Sequence, residues 1–128
     1  MKQVAAAIFL EGNKVFIAKR SIYDSLPGKW EFPGGKLEQD ETPEQCLHRE
    51  MIEEFGVPIR IERYYAKSIF EHKGQTMELL GYLASMLQDD ICLNVHDEGK
   101  WVEIKDLPFY DFASADIPFV QKLLTEGI

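Results

Sequence analysis

The chain has few cysteines, no long apolar run and no cluster of basic residues, and each absence excludes a class of protein. Two cysteines among 128 residues are too few for a disulfide framework, and their spacing is not that of a metal site. We therefore expect Cys46 and Cys92 to be plain, reduced residues of a cytoplasmic protein. No stretch approaches the ~18 apolar residues that a membrane-spanning helix requires, so no membrane partner is expected.

The charge balance is acidic, with a formal net charge of −8 and no Lys/Arg cluster. Nucleic-acid-binding proteins show basic patches, so the composition argues against a nucleic-acid partner. An acidic protein that acts on an anionic substrate needs cations to bring the two together, which favours a metal site. The length predicts one domain, residues 1–128, with a single substantial core.

Two apolar runs open the chain with turn residues between them, at Gly12 and Asn13. This pattern predicts a β-hairpin, Val4–Leu10 with Lys14–Arg20, rather than a secretion signal. Further strands are predicted at Ile59–Ile69, Met77–Met86 and Lys100–Ile104. A second helix is predicted at Ser114–Thr125, with Ser114 as its N-cap and Pro118 in its first turn.

The first helix has clear end signals. Thr42 suits the N-cap, Pro43 the first helical position, and Gln45 completes a capping box. Gly56 suits a left-handed C-cap, and Pro58 prevents continuation. A mixed β-sheet with one helix on each side is therefore predicted, an α/β fold of the α/β/α sandwich type with two main helices.

Three carboxylates share one face of that first helix. Glu50, Glu53 and Glu54 lie within an arc of roughly 100°, given about 100° per residue. Carboxylates at i, i+3 and i+4 repel one another, and Arg49 is the only nearby cation. A hard divalent cation such as Mg²⁺ neutralises such a set and fills its remaining positions with water and phosphate oxygens. The spacing favours metal-assisted chemistry on a phosphate, with a solvated acidic face as the alternative.

Residues 35–57 carry nine residues at fixed spacing that together resemble the Nudix box: Gly35, Glu41, Arg49, Glu50, Met51, Glu53, Glu54, Gly56 and Val57. The preceding segment from Gly28 to Lys36, GKWEFPGGK, is similar to the MutT-like branch of that family. The resemblance covers about thirty residues closely and implies the family's α/β/α sandwich.

The resemblance also implies roles for residues. Glu53 and Glu54 would bind Mg²⁺, or Mn²⁺ in its place, and the Gly34 carbonyl would complete the inner shell. Glu50 would bind metal or deprotonate the attacking water, while Arg49 would hold Glu53. Glu41 lies before the N-cap and would support the loop or favour the helix N-terminus.

A further acidic ligand is expected from the loop before Trp101. We favour Glu98 as this ligand, with Asp97 as the second choice. Relatives often carry Glu at the position that Val95 occupies in this chain, so the register of the loop does not decide between the two. His96 receives no role.

The segment at 112–118, FASADIP, resembles the part of MutT-like enzymes that reads the base. An ionised Asp116 only accepts hydrogen bonds, which suits the N1–H and N2–H₂ of guanine or 8-oxoguanine. The surrounding Ala-Asp-Ile-Pro sequence instead resembles that of relatives that act on cytidine nucleotides. The two observations conflict, so the choice between a purine and a pyrimidine base is left open. Phe32 would stack on the base or lie in the core, and Arg20, Gly34 and Gly35 are further candidate substrate contacts.

The function implied is a Mg²⁺-dependent nucleoside triphosphate pyrophosphohydrolase that clears oxidised or modified nucleotides, a task that protects DNA. One alternative is the same family acting on CTP, 5-methyl-dCTP, ADP-ribose or a dinucleoside polyphosphate. The other is a non-enzymatic nucleotide sensor, although such domains tend to lose box carboxylates and this chain retains all of them. The partner expected is a small nucleotide, with the protein a monomer or homodimer.

Overall fold

The computed structural model describes all 128 residues. Along the chain, four strands precede the first α-helix and three more precede the second, and the strands form a mixed sheet. The strands are β1 (Lys2–Glu11), β2 (Lys14–Arg20), β3 (Trp30–Glu31), β4 (Gly34–Lys36), β5 (Ile59–His72), β6 (Gln75–Met86) and β7 (His96–Glu103). The α-helices are α1 (Pro43–Phe55) and α2 (Ile117–Thr125), and short 3₁₀ turns cover Ile104–Phe109 and Ser114–Asp116. No helix has the length and apolar character needed to cross a membrane.

The sheet is organised around β1. This strand runs parallel to β6 and antiparallel to β4, and its last residues pair with β2. The order β3-β2-β1-β6-β5 forms the main path, with β7 added along β2. The mixed character of the sheet is therefore confirmed.

Alternate residues of β1 face opposite helices, because successive side chains of a strand point to opposite faces of the sheet. Ala7 and Phe9 pack with Leu47, Met51 and Phe55 of α1 and its neighbours. Ile8 packs on the other face, in the cluster that contains Phe119 and Leu123 of α2. The sheet thus separates two cores, and the predicted α/β/α layering is confirmed.

Local signals fix both ends of α1 as predicted. The Thr42 hydroxyl accepts from the Gln45 backbone N–H at 3.1 Å, and the Gln45 side chain accepts from the Thr42 N–H at 2.9 Å. At the other end Gly56 adopts φ 67°, and its N–H bonds back to the helix. The helix that carries the acidic face is therefore capped at both ends.

Two predicted elements differ from the structure. The strand predicted from Lys100 begins at His96, because pairing with β2 extends along the whole edge to Arg20. The segment from Ser114 opens with a 3₁₀ turn before α2, and Ser114 is not its N-cap. Asp116 directly precedes α2, but its carboxyl accepts from the Phe32 N–H instead of capping the helix.

Candidate active site

A cavity of about 490 Å³ lies where β1, β3 and β4 meet the end of α1 and the segment 113–116. It is also bordered by the β5–β6 turn and by the loop that follows β2. Six predicted site residues line it: Arg20, Phe32, Gly34, Gly35, Glu54 and Asp116. Arg49, Glu50, Glu53 and Glu98 are not among its lining residues.

Glu50 lies against Gly35, at the edge of this cavity. A Cβ on Gly35 would approach the two Glu50 carboxylate oxygens to 2.6 and 2.7 Å, closer than real side chains permit. A Cβ on Gly34 would collide with the backbone carbonyl of Ala5 on β1. Because Gly35 has no side chain, the Glu50 carboxylate can lie against β4, and because Gly34 has none, β1 can pair closely with it.

Arg49 binds several carboxylates rather than Glu53 alone. Its Nε and Nη2 donate to the two oxygens of Glu41 at 2.8 and 2.9 Å, and its Nη1 donates to Glu50 at 2.6 Å. The predicted contact with Glu53 is present but longer, at 3.3 Å. Hydrogen bonds from Arg49 lower the pKa of Glu41 to about 2, so this carboxylate stays ionised. Glu41 also accepts from the Glu38 N–H, which agrees with the predicted loop-supporting role.

Glu54 is the most perturbed carboxylate of the cluster. Burial, together with the adjacent Glu50 carboxylate, raises its pKa to about 9. Its Oε1 is buried and has no hydrogen-bond partner. A buried oxygen without a partner is costly, and a bound cation would both supply that partner and favour the ionised form of Glu54.

The donor chemistry of this region fits a hard divalent cation, since the available ligands are carboxylate and carbonyl oxygens. As the side chains stand, no three His, Cys, Asp or Glu residues are arranged to hold a metal. Instead, the guanidinium of Arg49 forms ion pairs with both Glu50 and Glu53.

The structure does not bring the predicted loop ligand to this cavity. Glu98 lies within β7 opposite Lys19, and its carboxylate lies 3.8 Å from Lys100. Asp97 accepts from the Ile22 N–H at 3.3 Å and likewise does not line the cavity. Val95 and His96 line it instead. Extension of β7 to His96 explains the difference, because it commits residues 97 and 98 to the strand.

Two cavity residues, Glu31 and His96, were assigned no role from the sequence. The Glu31 carboxylate lies 2.8 Å from Nε2 of His96, and it accepts from Arg20 at 3.1 Å. Glu31 stands in the motif segment around Phe32, but its partner lies 65 residues away, so spacing along the chain gave no signal for the pair.

Asp116 occupies the other end of the cavity and is buried. Burial and the nearby Glu31 carboxylate raise its pKa well above the ordinary value, which favours the protonated carboxyl. Its Oδ1 accepts from the Phe32 N–H at 3.2 Å. A neutral carboxyl both donates and accepts hydrogen bonds.

Phe32 is largely a core residue, 2% exposed and packed against Phe112 and Phe119. It lines the cavity, but its ring packs at a tilt on both of these phenylalanines. Phe70, on β5, is half-buried and lines the same cavity. Phe70 therefore offers this cavity a more accessible aromatic ring than Phe32 does. No role was predicted for Phe70, since the strand predicted from the sequence ended at Ile69.

Comparison with known proteins agrees with this geometry. The NUDIX domain model matches residues 1–123. The chain is similar to the CTP pyrophosphohydrolase of Escherichia coli, with 31% identity over 97% of this chain and 92% of that protein. It is also similar to the 8-oxo-dGTP diphosphatase of Escherichia coli, with 32% identity over 94% of this chain and 95% of that protein.

Among solved structures, the chain resembles the solution structure of the Escherichia coli ORF135 protein. The TM-score is 0.86 at 31% identity, with 97% of this chain and 89% of that chain covered. A match along nearly the whole length, the intact motif and the shared fold agree. The chain belongs to the Nudix family and is a Nudix hydrolase.

Proposed function

We propose that this Nudix hydrolase is a Mg²⁺-dependent nucleoside triphosphate pyrophosphohydrolase that acts on oxidised or modified nucleotides such as 8-oxo-dGTP. The observation that carries the proposal is one cavity lined by both Glu54, with an unpartnered buried oxygen, and the buried carboxyl of Asp116. A site for a nucleoside triphosphate needs both features, because cations must offset the charge of the phosphates and a polar side chain must hydrogen-bond to the base.

Nudix hydrolases generally use divalent ions. We assign the site to Mg²⁺, with Mn²⁺ able to replace it, and propose as ligands the carboxylates of Glu50, Glu53 and Glu54 and the carbonyl of Gly34. Bound there, the ion would offset phosphate charge and lower the pKa of a water molecule. The unpartnered oxygen of Glu54 and the all-oxygen donor set support this assignment.

The chain's own residues orient the reaction. Glu50, held between Arg49 and the Gly35 backbone, accepts a proton from the attacking water. The water oxygen bonds to phosphorus in line with the phosphoanhydride bond that breaks, and pyrophosphate leaves with the bonding electron pair. The products are a nucleoside monophosphate and pyrophosphate. Arg49 contributes by fixing Glu50 and Glu53 rather than by touching the substrate.

Cytosine nucleotides are a second candidate, and the raised pKa of Asp116 favours them. A protonated carboxyl donates to N3 of cytosine and accepts from its N4–H₂. An ionised carboxylate instead accepts from N1–H and N2–H₂ of guanine. The two curated relatives divide in the same way, one named for CTP and one for 8-oxo-dGTP, at nearly equal identity.

A substrate panel tests the proposal. The purified protein with Mg²⁺ is assayed on 8-oxo-dGTP, dGTP, CTP, dCTP, 5-methyl-dCTP, ATP, ADP-ribose and diadenosine tetraphosphate. Preference for a guanine or cytosine triphosphate, with pyrophosphate released, is the expected result and decides what Asp116 reads. Activity confined to ADP-ribose or the dinucleotide would overturn the substrate class. Inactivity on every compound would favour the nucleotide-sensing alternative.

A further inference from the structure

Glu31 connects three strands through its side chain. Its Oε1 accepts from Arg20 Nη1 on β2 at 3.1 Å, and its Oε2 lies 2.8 Å from His96 Nε2 at the start of β7. All three residues line the cavity. Glu31 lines the same cavity as Glu54 and Asp116, and the N–H of the next residue, Phe32, donates to the Asp116 carboxyl.

The His96 ring is fixed by few contacts. Its side chain is 4% exposed and stacks on Phe55, with ring centroids 5.1 Å apart and an interplanar angle of 15°. An ionised carboxylate only accepts hydrogen bonds, so the tautomer that serves this contact is the one with the proton on Nε2. Nδ1 has no protein partner. Glu31 and Phe55 thus determine the ring position, and the only polar contact of this ring is made through Nε2.

An irregularity of the sheet brings His96 to this position. The register of β2 and β7 shifts between Lys19 and Arg20, and His96 is paired opposite Arg20 as a result. Bulges re-aim side chains and are common beside active sites. The pairing sets the imidazole and the guanidinium on either side of one carboxylate.

Arg20 retains hydrogen-bonding capacity after these contacts. Its Nε and Nη2 donate to Asp24 at 3.0 and 2.6 Å, and its Nη1 donates to Glu31. A guanidinium has five N–H groups in a rigid plane, so two remain. Arg20 binds the Glu31 carboxylate, and the next residue of the chain, Phe32, donates its N–H to Asp116, so Arg20 lies at the Asp116 end of the cavity. Since the plane is rigid, the bonds to Asp24 and Glu31 also set the direction of the two remaining N–H groups.

We propose that His96 is a positioning residue that acts through Glu31 to aim Arg20 at a carbonyl oxygen of the substrate base. The inference rests on the proposed function, because it assumes a nucleotide whose base lies at the Asp116 end. Cytosine, guanine and 8-oxoguanine carry carbonyl oxygens, whereas adenine carries none. The His96–Glu31–Arg20 chain therefore selects carbonyl-bearing bases over adenine.

Two substitutions of His96 separate this role from a general structural one. Gln places an amide near the position of Nε2 and keeps a donor toward Glu31, whereas Asn is shorter and reaches only the position of Nδ1. His96→Gln and His96→Asn are compared with wild type and with His48→Asn, a control at an exposed histidine of α1. For each protein, kcat/KM is measured with Mg²⁺ on the preferred triphosphate of the panel and on ATP, and thermal unfolding is recorded.

Wild type is expected to prefer the carbonyl-bearing base over ATP, and His96→Asn to lower that preference about tenfold through KM for the preferred substrate. His96→Gln should retain most of the preference, and His48→Asn all of it. In a protein that already carries Glu31→Gln, His96→Asn should lower the preference over ATP little further, because both substitutions break the same His96–Glu31–Arg20 chain.

Several results would overturn the inference. One is equal loss of preference in the Gln and Asn variants, and another is an unchanged preference in both. A fall in kcat on all substrates that tracks lower thermal stability would indicate a merely structural histidine. A wild type that hydrolyses triphosphates without disfavouring ATP would also overturn the inference, yet leave the proposed function intact. A wild type inactive on every triphosphate would instead overturn the proposed function.

Discussion

Glu50 and Gly35 are in such close contact that the Glu50 carboxylate fills the space that any side chain at position 35 would need. A Cβ on Gly35 would lie 2.6 and 2.7 Å from the two Glu50 oxygens. The position of the proposed proton acceptor thus depends on a residue of β4 that lacks a side chain.

Gly35→Ala is expected to reduce kcat roughly 100-fold, because displacement of a positioned catalytic group by about 1 Å has costs of that order. The fold should persist, since the clash falls on the end of a flexible side chain. Gly34→Ala is the matched contrast, because its Cβ would meet the backbone of Ala5. Steady-state kinetics and circular dichroism should show an inactive folded protein for the first variant and an unfolded or strongly destabilised one for the second. Full activity of Gly35→Ala would contradict the placement of Glu50.

Glu53→Gln is expected to lower turnover about 10³-fold or more, because it removes the charge of a proposed metal ligand without changing its size. Glu53 is mostly exposed, with 58% of its side chain accessible, so the stability should change little. Glu44→Gln, an exposed acidic residue in the first turn of the same helix, is the control and should keep wild-type activity. A near-normal rate in Glu53→Gln would remove this residue from the metal assignment.

Asp116 should make the stability depend on pH. Its pKa is raised in the folded state, so above the unfolded value of about 3.8 the folded chain holds a proton that the unfolded chain has lost. Stability must then fall as pH rises toward the folded pKa. Asp116→Asn removes this dependence, and the melting temperature of the Asn variant relative to wild type should increase from pH 4 to pH 8. A constant difference across that range would show that Asp116 is ionised in the folded protein.

The two thiols should differ in reactivity. Cys46 is buried, and burial raises its pKa to about 12, whereas Cys92 is exposed. Because the thiolate is the reactive form, a thiol reagent at pH 8 should label one cysteine of the native protein quickly and the second only after unfolding. Cys92→Ser should abolish the fast phase. A second fast phase would mean that the packing of Cys46, on α1, against β4 is loose.

Local signals determined most of what could be predicted from the sequence. The ends of α1 follow from Thr42, Pro43, Gln45 and Gly56, whose effects depend on neighbours within four residues. The acidic face follows from helical periodicity alone. The layered fold was implied by family resemblance and is confirmed by the opposite-facing cores on β1.

Features that depend on distant partners could not be predicted in the same way. Glu31 and His96 are joined only because β7 extends along β2, and that register depends on pairing along the whole strand. The same extension removes Glu98 from the cavity. Phe32 is drawn into the core by Phe112 and Phe119, which follow it by 80 residues or more in the chain.

In the proposed function, the carboxylates of α1 and this cavity together cleave a nucleoside triphosphate with the help of a divalent ion. The most direct test measures nucleoside monophosphate, pyrophosphate and inorganic phosphate released from the preferred triphosphate, with Mg²⁺ and with excess EDTA, for wild type and Glu53→Gln. We expect equal amounts of monophosphate and pyrophosphate from wild type with Mg²⁺, and almost none with EDTA or from the variant. Release of inorganic phosphate with a nucleoside diphosphate, or undiminished turnover in EDTA, would contradict the account.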